Sequence, residues 1–241
     1  LRAAGADLEV ARQHFLAGRF QPCLEACEKA ATESYQGEEW RLLHATLLLF
    51  TGRYEQAEVV VSNALVQSER SVRLRVLGIE TANRSGETNR AASRLKEISE
   101  LAGPRLWAYR DPPNIVALGR TALLIGADPK TVLERLFSPA QKADPELRDP
   151  WLAIGQLALA KHDFALAART FAEARTKFPE DADILCGLAR AYQPSARGKM
   201  LEVLESALEK NENHVPSMLL LTDHLVDAEE YKEADAMLAR T

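Results

Sequence analysis

Three cysteines, five histidines and a scatter of carboxylates are the side chains of this 241-residue sequence that could do chemistry. Cys23 and Cys27 stand four apart, which places both thiols on one face of a helix, as half a metal site would need. A structural zinc takes four nitrogen or sulfur ligands, yet no second close pair exists and Cys186 lies far along the chain. The pair therefore reads as two small apolar core positions, where free cysteine is often buried. The histidines stand in five different contexts. His14 and His44 fall near buried positions of helices, His162 in a turn, His214 in a loop and His224 in a helix. None is given a catalytic role. The sequence holds no H-E-x-x-H, no G-x-S-x-G and no phosphate-cradling G-x-x-x-x-G-K. No metal, no cofactor and no enzymatic activity are expected.

Three arginines are the better candidates. Arg12, Arg120 and Arg190 each follow a small residue, Ala11, Gly119 and Ala189, at equivalent places on helices. A guanidinium pairs with carboxylates through a planar fork of donors. The blander alternative is solvation, or ion pairs with neighbours such as Glu80 and Asp223. Phe15, Leu49 and Leu123 lie on the same class of helix and are candidate apolar lining. A formal charge of −5 and a pI near 5.7 argue against a general nucleic-acid surface. No run approaches the ~20 apolar residues of a membrane-spanning helix. Leu42 to Phe50 is interrupted by His44 and Thr46 and reads as a buried helix.

The elements that must position these side chains follow from spacing. Gly18, Gly52 and Gly86 recur at intervals of 34 residues. An aromatic follows two residues later at Phe20 and Tyr54, with Thr88 the exception, and a small residue at Cys23, Ala57 and Ala91. A further apolar position follows at Ala30, Ala64 and Ile98. One segment carries a fuller pattern: Trp151, Ile154 and Gly155 on a first helix, Ala167, Phe171 and Ala174 on a second, and Pro179 closing the unit. The last unit places Tyr231, Ala234 and Leu238 in register.

With these residues the chain resembles the tetratricopeptide repeat family, whose units read W-x2-L-G-x2-Y, A-x3-F and P over about 34 residues. The resemblance spans nearly the whole sequence and implies an all-α solenoid superhelix of about seven helical hairpins, the last one truncated. Units one to three occupy residues 1–105, an irregular joint 106–111, and units four to seven 112–241. Departures are visible. His162-Asp163 replaces the turn glycine, Ala158 stands where the family prefers tyrosine, and the sixth unit has lost a residue near 193–195. Ser138-Pro139 is expected to interrupt a helix, and Trp107 and Tyr109 to pack over the joint. Small Ala57, Ala91, Ala167 and Ala234 would let helices approach, with Phe164, Phe171 and Tyr231 filling the space beside them.

The resemblance implies a non-catalytic scaffold whose concave groove takes a peptide or protein, with Arg12, Arg120 and Arg190 placed to meet its carboxylates and Phe15, Leu49 and Leu123 as apolar lining. Carboxylate-clamp members carry lysine and asparagine where this sequence has Leu8, Leu42 and Val76, so a chaperone-tail clamp is not expected. Two alternatives stand beside it. The last four units are similar to bacterial arrays found ahead of metallopeptidase-like domains, which would make the chain the substrate-presenting part of a larger enzyme. The other alternative is a self-assembly module. The sequence opens at Leu1 and stops at Thr241 within a helical pattern, so it reads as a piece of a longer protein. Compartment stays open between cytoplasm, the default, and bacterial envelope.

Overall fold

The structure is a computed structural model that describes residues 2–32 and 37–240. Those residues form helices joined by short turns: α1 (Arg2–Leu16), α2 (Phe20–Thr32), α3 (Glu38–Phe50), α4 (Tyr54–Gln67), α5 (Val72–Arg84), α6 (Thr88–Ala102) and α7 (Pro112–Leu124). After α8 (Pro129–Val132) and α9 (Ser138–Ala143) come α10 (Arg148–Ala160), α11 (Phe164–Lys177), α12 (Ala182–Tyr192), α13 (Arg197–Lys210), α14 (Val215–Asp227) and α15 (Tyr231–Leu238). The starts are chemically marked. Ser71, Asp111, Asp128, Asp163 and Asp181 each accept a backbone N–H of the first turn, and Pro112, Pro129 and Pro216 sit where a helix lacks an internal donor partner anyway.

Helices of this length are marginal alone and must bury a face on neighbours. They do so as successive hairpins, in which a first helix pairs with the second helix that follows it. Two compact units result, one of residues 1–15 and 19–143, the other of residues 16–18 and 144–241. Within the first unit, α3 packs on α5 and α5 on α7; within the second, α10 packs on α12 and α12 on α14. Second helices wedge between them, α4 against α5 and α11 against α12. Each unit is thus an array of stacked helical hairpins.

The repeat residues occupy the junctions. Trp151 is buried and its indole N–H donates to the Pro145 carbonyl at 3.0 Å. Ala167, Phe171 and Ala174 are fully buried, and Ala234 nearly so. Phe171 fills the space left by two glycines: a Cβ on Gly155 would lie 2.3 Å from its ring, and one on Gly187 2.4 Å. Pro179 is exposed in the turn after α11. Gly18, Gly52 and Gly86 hold left-handed φ of 71°, 74° and 78°, which reverses the chain between paired helices. His162 and Glu229 adopt the same sign of φ, 57° and 63°, without glycine's freedom.

Several expectations are corrected. Ser138-Pro139 does not stop the helix; α8 runs into α9 through a π turn at Leu133–Phe137. The widened turn admits the extra residue and displaces the carbonyl that proline would otherwise crowd. Trp107 does not pack over a joint, being 69% exposed on a 3-10 helix of residues Gly103–Tyr109. Only Tyr109 turns inward, where its hydroxyl donates to the Arg70 carbonyl at 3.1 Å. Tyr231 is 59% exposed and fills no core space.

Candidate functional site

The candidate surface is the side of the first helices that carries the expected groove residues, taken separately in each unit. In the first unit, Arg12 is engaged by the protein itself. Its guanidinium pairs with Glu39 at 2.5 Å, and Glu39 also pairs with Arg73, linking α1, α3 and α5. The partner is therefore Glu39 and not Glu80. Phe15 is likewise committed, its ring 5.6 Å from Phe50 in an edge-on contact and 6.2 Å from Phe20. Leu49 and Leu123 are half-buried. Arg120 is half-buried on α7 and makes no hydrogen bond or ion pair among the described residues.

In the second unit, Arg190 is exposed on α12 and also lacks a bonded partner among the described residues. Arg120 and Arg190 are each the ninth residue of their helices, α7 and α12. Asp223 is the ninth of α14 and is exposed. The remaining charge near the starts of these helices is internally used. Arg148 at the start of α10 pairs with Asp181 and Asp183 at the start of α12. Asp183 meets the buried His214 ring at 3.1 Å, and the other ring nitrogen lies 2.7 Å from the Ser217 hydroxyl. Burial opposes ionisation of Asp183, but the Arg148 charge and the His214 contact outweigh it and hold the carboxyl well below its usual range. Ser217 is wholly buried, so this Asp–His–Ser string staples hairpins and does not face a substrate.

An open depression of about 430 Å³ beside the α12–α13 turn is lined by Gln193, Arg197, Met200, His224 and Asp227. Its polar groups serve one another: Arg197 Nε donates to His224 Nδ1 at 3.0 Å and reaches Asp227 at 3.5 Å. The cysteines carry no accessible chemistry. Cys23 and Cys27 are buried, and the hydrogen bond to Cys23, reinforced by burial, pushes the Cys27 thiol far up. Burial likewise raises Cys186 to about 11, against the Ser217 hydrogen bond. Burial lowers His44, against the nearby Glu28 charge. Among the described residues no group of three or more histidine, cysteine or acidic side chains could hold a metal. No described helix is long and apolar enough to cross a membrane.

Sequence reasoning missed the charges that hold hairpins together: Glu39, Arg73, Arg94, Glu58, Arg148 and Asp183. One signal was available. Arg94 is the seventh residue of α6, a place that α11 and α13 fill with the buried Thr170 and Val203. A charge at a core position must find a partner.

Stacked hairpins whose first helices pack on one another, with a left-handed residue at most turns and small residues opposite bulky ones, decide the architecture. The fold is that of the tetratricopeptide repeat proteins. Solved structures with this fold superpose on the chain. One is a tetratricopeptide repeat protein from Parabacteroides merdae, with TM-score 0.54 and 12% identity over 98% of this chain and 94% of that one. Another is a thermophilic tetratricopeptide protein of Thermus thermophilus, with TM-score 0.53 and 19% identity over 79% of this chain and 99% of that one. The Cut9–Hcn1 hetero-tetramer of the APC/C matches with TM-score 0.55 and 17% identity over 90% of this chain. The tetratricopeptide array described here spans only 42% of that larger chain. At such identities the likeness establishes the fold alone. No protein-family model matches the sequence, and no curated protein matches it.

Proposed function

We propose that this tetratricopeptide array is a non-catalytic scaffold in which the groove side of the first helices, in one unit or the other, binds a peptide or protein segment. The observation that carries the reading is the pair Arg120 and Arg190. Both sit at the ninth position of a first helix and neither is used internally, whereas Arg12, Arg73, Arg75, Arg94 and Arg148 all hold carboxylates of the protein itself. A preformed helical surface loses little conformational freedom on binding, so many shallow contacts suffice. Carboxylates of the partner are the groups these guanidinium forks suit.

The test is affinity capture from native lysate with the unmodified chain and with Arg120→Glu/Arg190→Glu. The variant should recover at least tenfold less of the same partner while its melting temperature stays unchanged. Undiminished recovery by a folded variant would remove the arginines from the binding surface.

A further inference from the structure

At its ninth residue, each first helix of the second unit exposes a polar side chain beside buried neighbours. On α10 it is Gln156, between the buried Gly155 and Leu157. On α12 it is Arg190, between the buried Ala189 and Ala191, and no other residue of that helix is exposed. On α14 it is Asp223, next to the buried Thr222. Because α10 packs on α12 and α12 on α14, the three form a row of amide, guanidinium and carboxylate. Gln156 and Arg190 stay open although a further first helix lies against each of theirs, so stacking itself leaves this position uncovered.

The row is not closed on itself. Arg190 and Asp223 are opposite charges on packed helices, yet among the described residues no hydrogen bond or ion pair engages either one, or Gln156. Arg148, Lys177, Arg197 and Lys210 of the same unit each hold a carboxylate of the protein. The first unit shows the same relationship in reverse order, with the unbonded Glu80 and Arg120 as ninth residues of the packed helices α5 and α7. Packed helix axes stand about 8–10 Å apart, and across such a gap in water two exposed charges gain little from each other. A ligand that touches both gains more. A wholly acidic segment would set like charge against Asp223, and a wholly basic one against Arg190. The strip is one side chain wide at α12, which suits an extended chain and not a helix about 10 Å across. Side chains two apart on a strand are separated by about 6.6 Å, and three apart on a polyproline II segment by about 9 Å, so either can bridge the two helices.

We propose that Gln156, Arg190 and Asp223 select an extended partner segment with an acidic residue opposite Arg190 and a basic residue opposite Asp223, a selectivity that rests on the scaffold function proposed for the same helices. The Gln156 amide, donor and acceptor both, meets the backbone of the segment beside them. The probe is a displayed library of random peptides panned against the unmodified chain, with the enriched peptides then measured by fluorescence anisotropy at low salt. These peptides are expected to carry an acid and a base about two or three residues apart. Neutralising the acid should weaken binding to the unmodified chain at least tenfold, and binding to Arg190→Ala little. Neutralising the base should do the same, with Asp223→Ala as the insensitive variant. Both variants remove exposed side chains and should melt as the unmodified chain does. Enriched peptides that need acids and Arg190 but are indifferent to Asp223 overturn the paired selectivity and leave the scaffold function standing. Binding lost with Arg120→Glu alone moves the segment to the first unit and overturns the selectivity as well. No enrichment, or binding indifferent to Arg120, Arg190 and Asp223, overturns both. A double-mutant cycle in urea unfolding that couples Arg190 to Asp223 would show the two charges serving each other, and also overturns the selectivity.

Discussion

The buried Arg94 on α6 and the half-buried Glu58 on α4 form an ion pair across two hairpins, Nη1 to Oε2 2.6 Å. The same nitrogen donates to the Gly78 carbonyl at 2.8 Å, and a Cβ on Gly78 would collide with the guanidinium at 2.6 Å. Glycine at 78 is thus the space that lets arginine lie where other second helices carry threonine or valine. Burial opposes ionisation of Glu58, yet the hydrogen bonds from Arg94 and Ser62 hold its carboxyl below the usual range.

Removing Arg94 leaves the half-buried Glu58 with only Ser62 and the more exposed Arg90 beside it. Arg94→Met is expected to cost about 1–3 kcal/mol in urea unfolding. The double change Arg94→Met/Glu58→Leu should recover most of that loss, because an apolar pair replaces the ionic one. A double-mutant cycle with additive losses would show that the two residues are not coupled.

The Arg148–Asp183–His214 string predicts a dependence on pH. The folded carboxyl of Asp183 titrates below its unfolded value, so its stabilisation is complete above about pH 4 and fades as pH falls through the folded value. Asp183→Asn should lower the urea midpoint at neutral pH. The gap between variant and unmodified chain should narrow steadily on acidification to about pH 2. A gap of constant size would place the effect elsewhere than in the charge.

Turn conformations give opposite signs at two equivalent places. At Gly52, φ is 74° with open space around the position, so Gly52→Ala meets only backbone strain and should cost about 1 kcal/mol. At His162 that strain is already present, with φ 57°. His162→Gly should therefore raise the melting temperature, less the extra unfolded-state freedom of glycine and the loss of the ring's contact with Phe164. A lowered melting temperature would mean the histidine ring outweighs the backbone.

Packing at Phe171 leaves no room for a methyl group. Gly155→Ala and Gly187→Ala should each cost about 1–3 kcal/mol by overpacking. Ala167→Arg, at a fully buried crossing, should cost about 3 kcal/mol or more. Circular dichroism melting reads all three; an unshifted Ala167→Arg would break the register of the fifth hairpin.

Periodic spacing alone determined the helices, their pairing and the closest crossings, because each hairpin repeats the same local demands. A residue that reverses the chain, a small residue at a crossing and a bulky one beside it must return at a near-constant interval. Gly18, Gly52 and Gly86, and Ala167 with Phe171, are legible for that reason. Three-dimensional packing decided which charges meet. Arg12 chose Glu39, Arg94 chose Glu58 and Arg148 chose Asp181 and Asp183. Long side chains reach several partners at similar sequence separations, and only the stacked backbones select among them. Packing also turned Tyr109 inward and Trp107 outward. Coverage depends on which helix lies alongside, and a linear pattern specifies a helix's faces without specifying its neighbours.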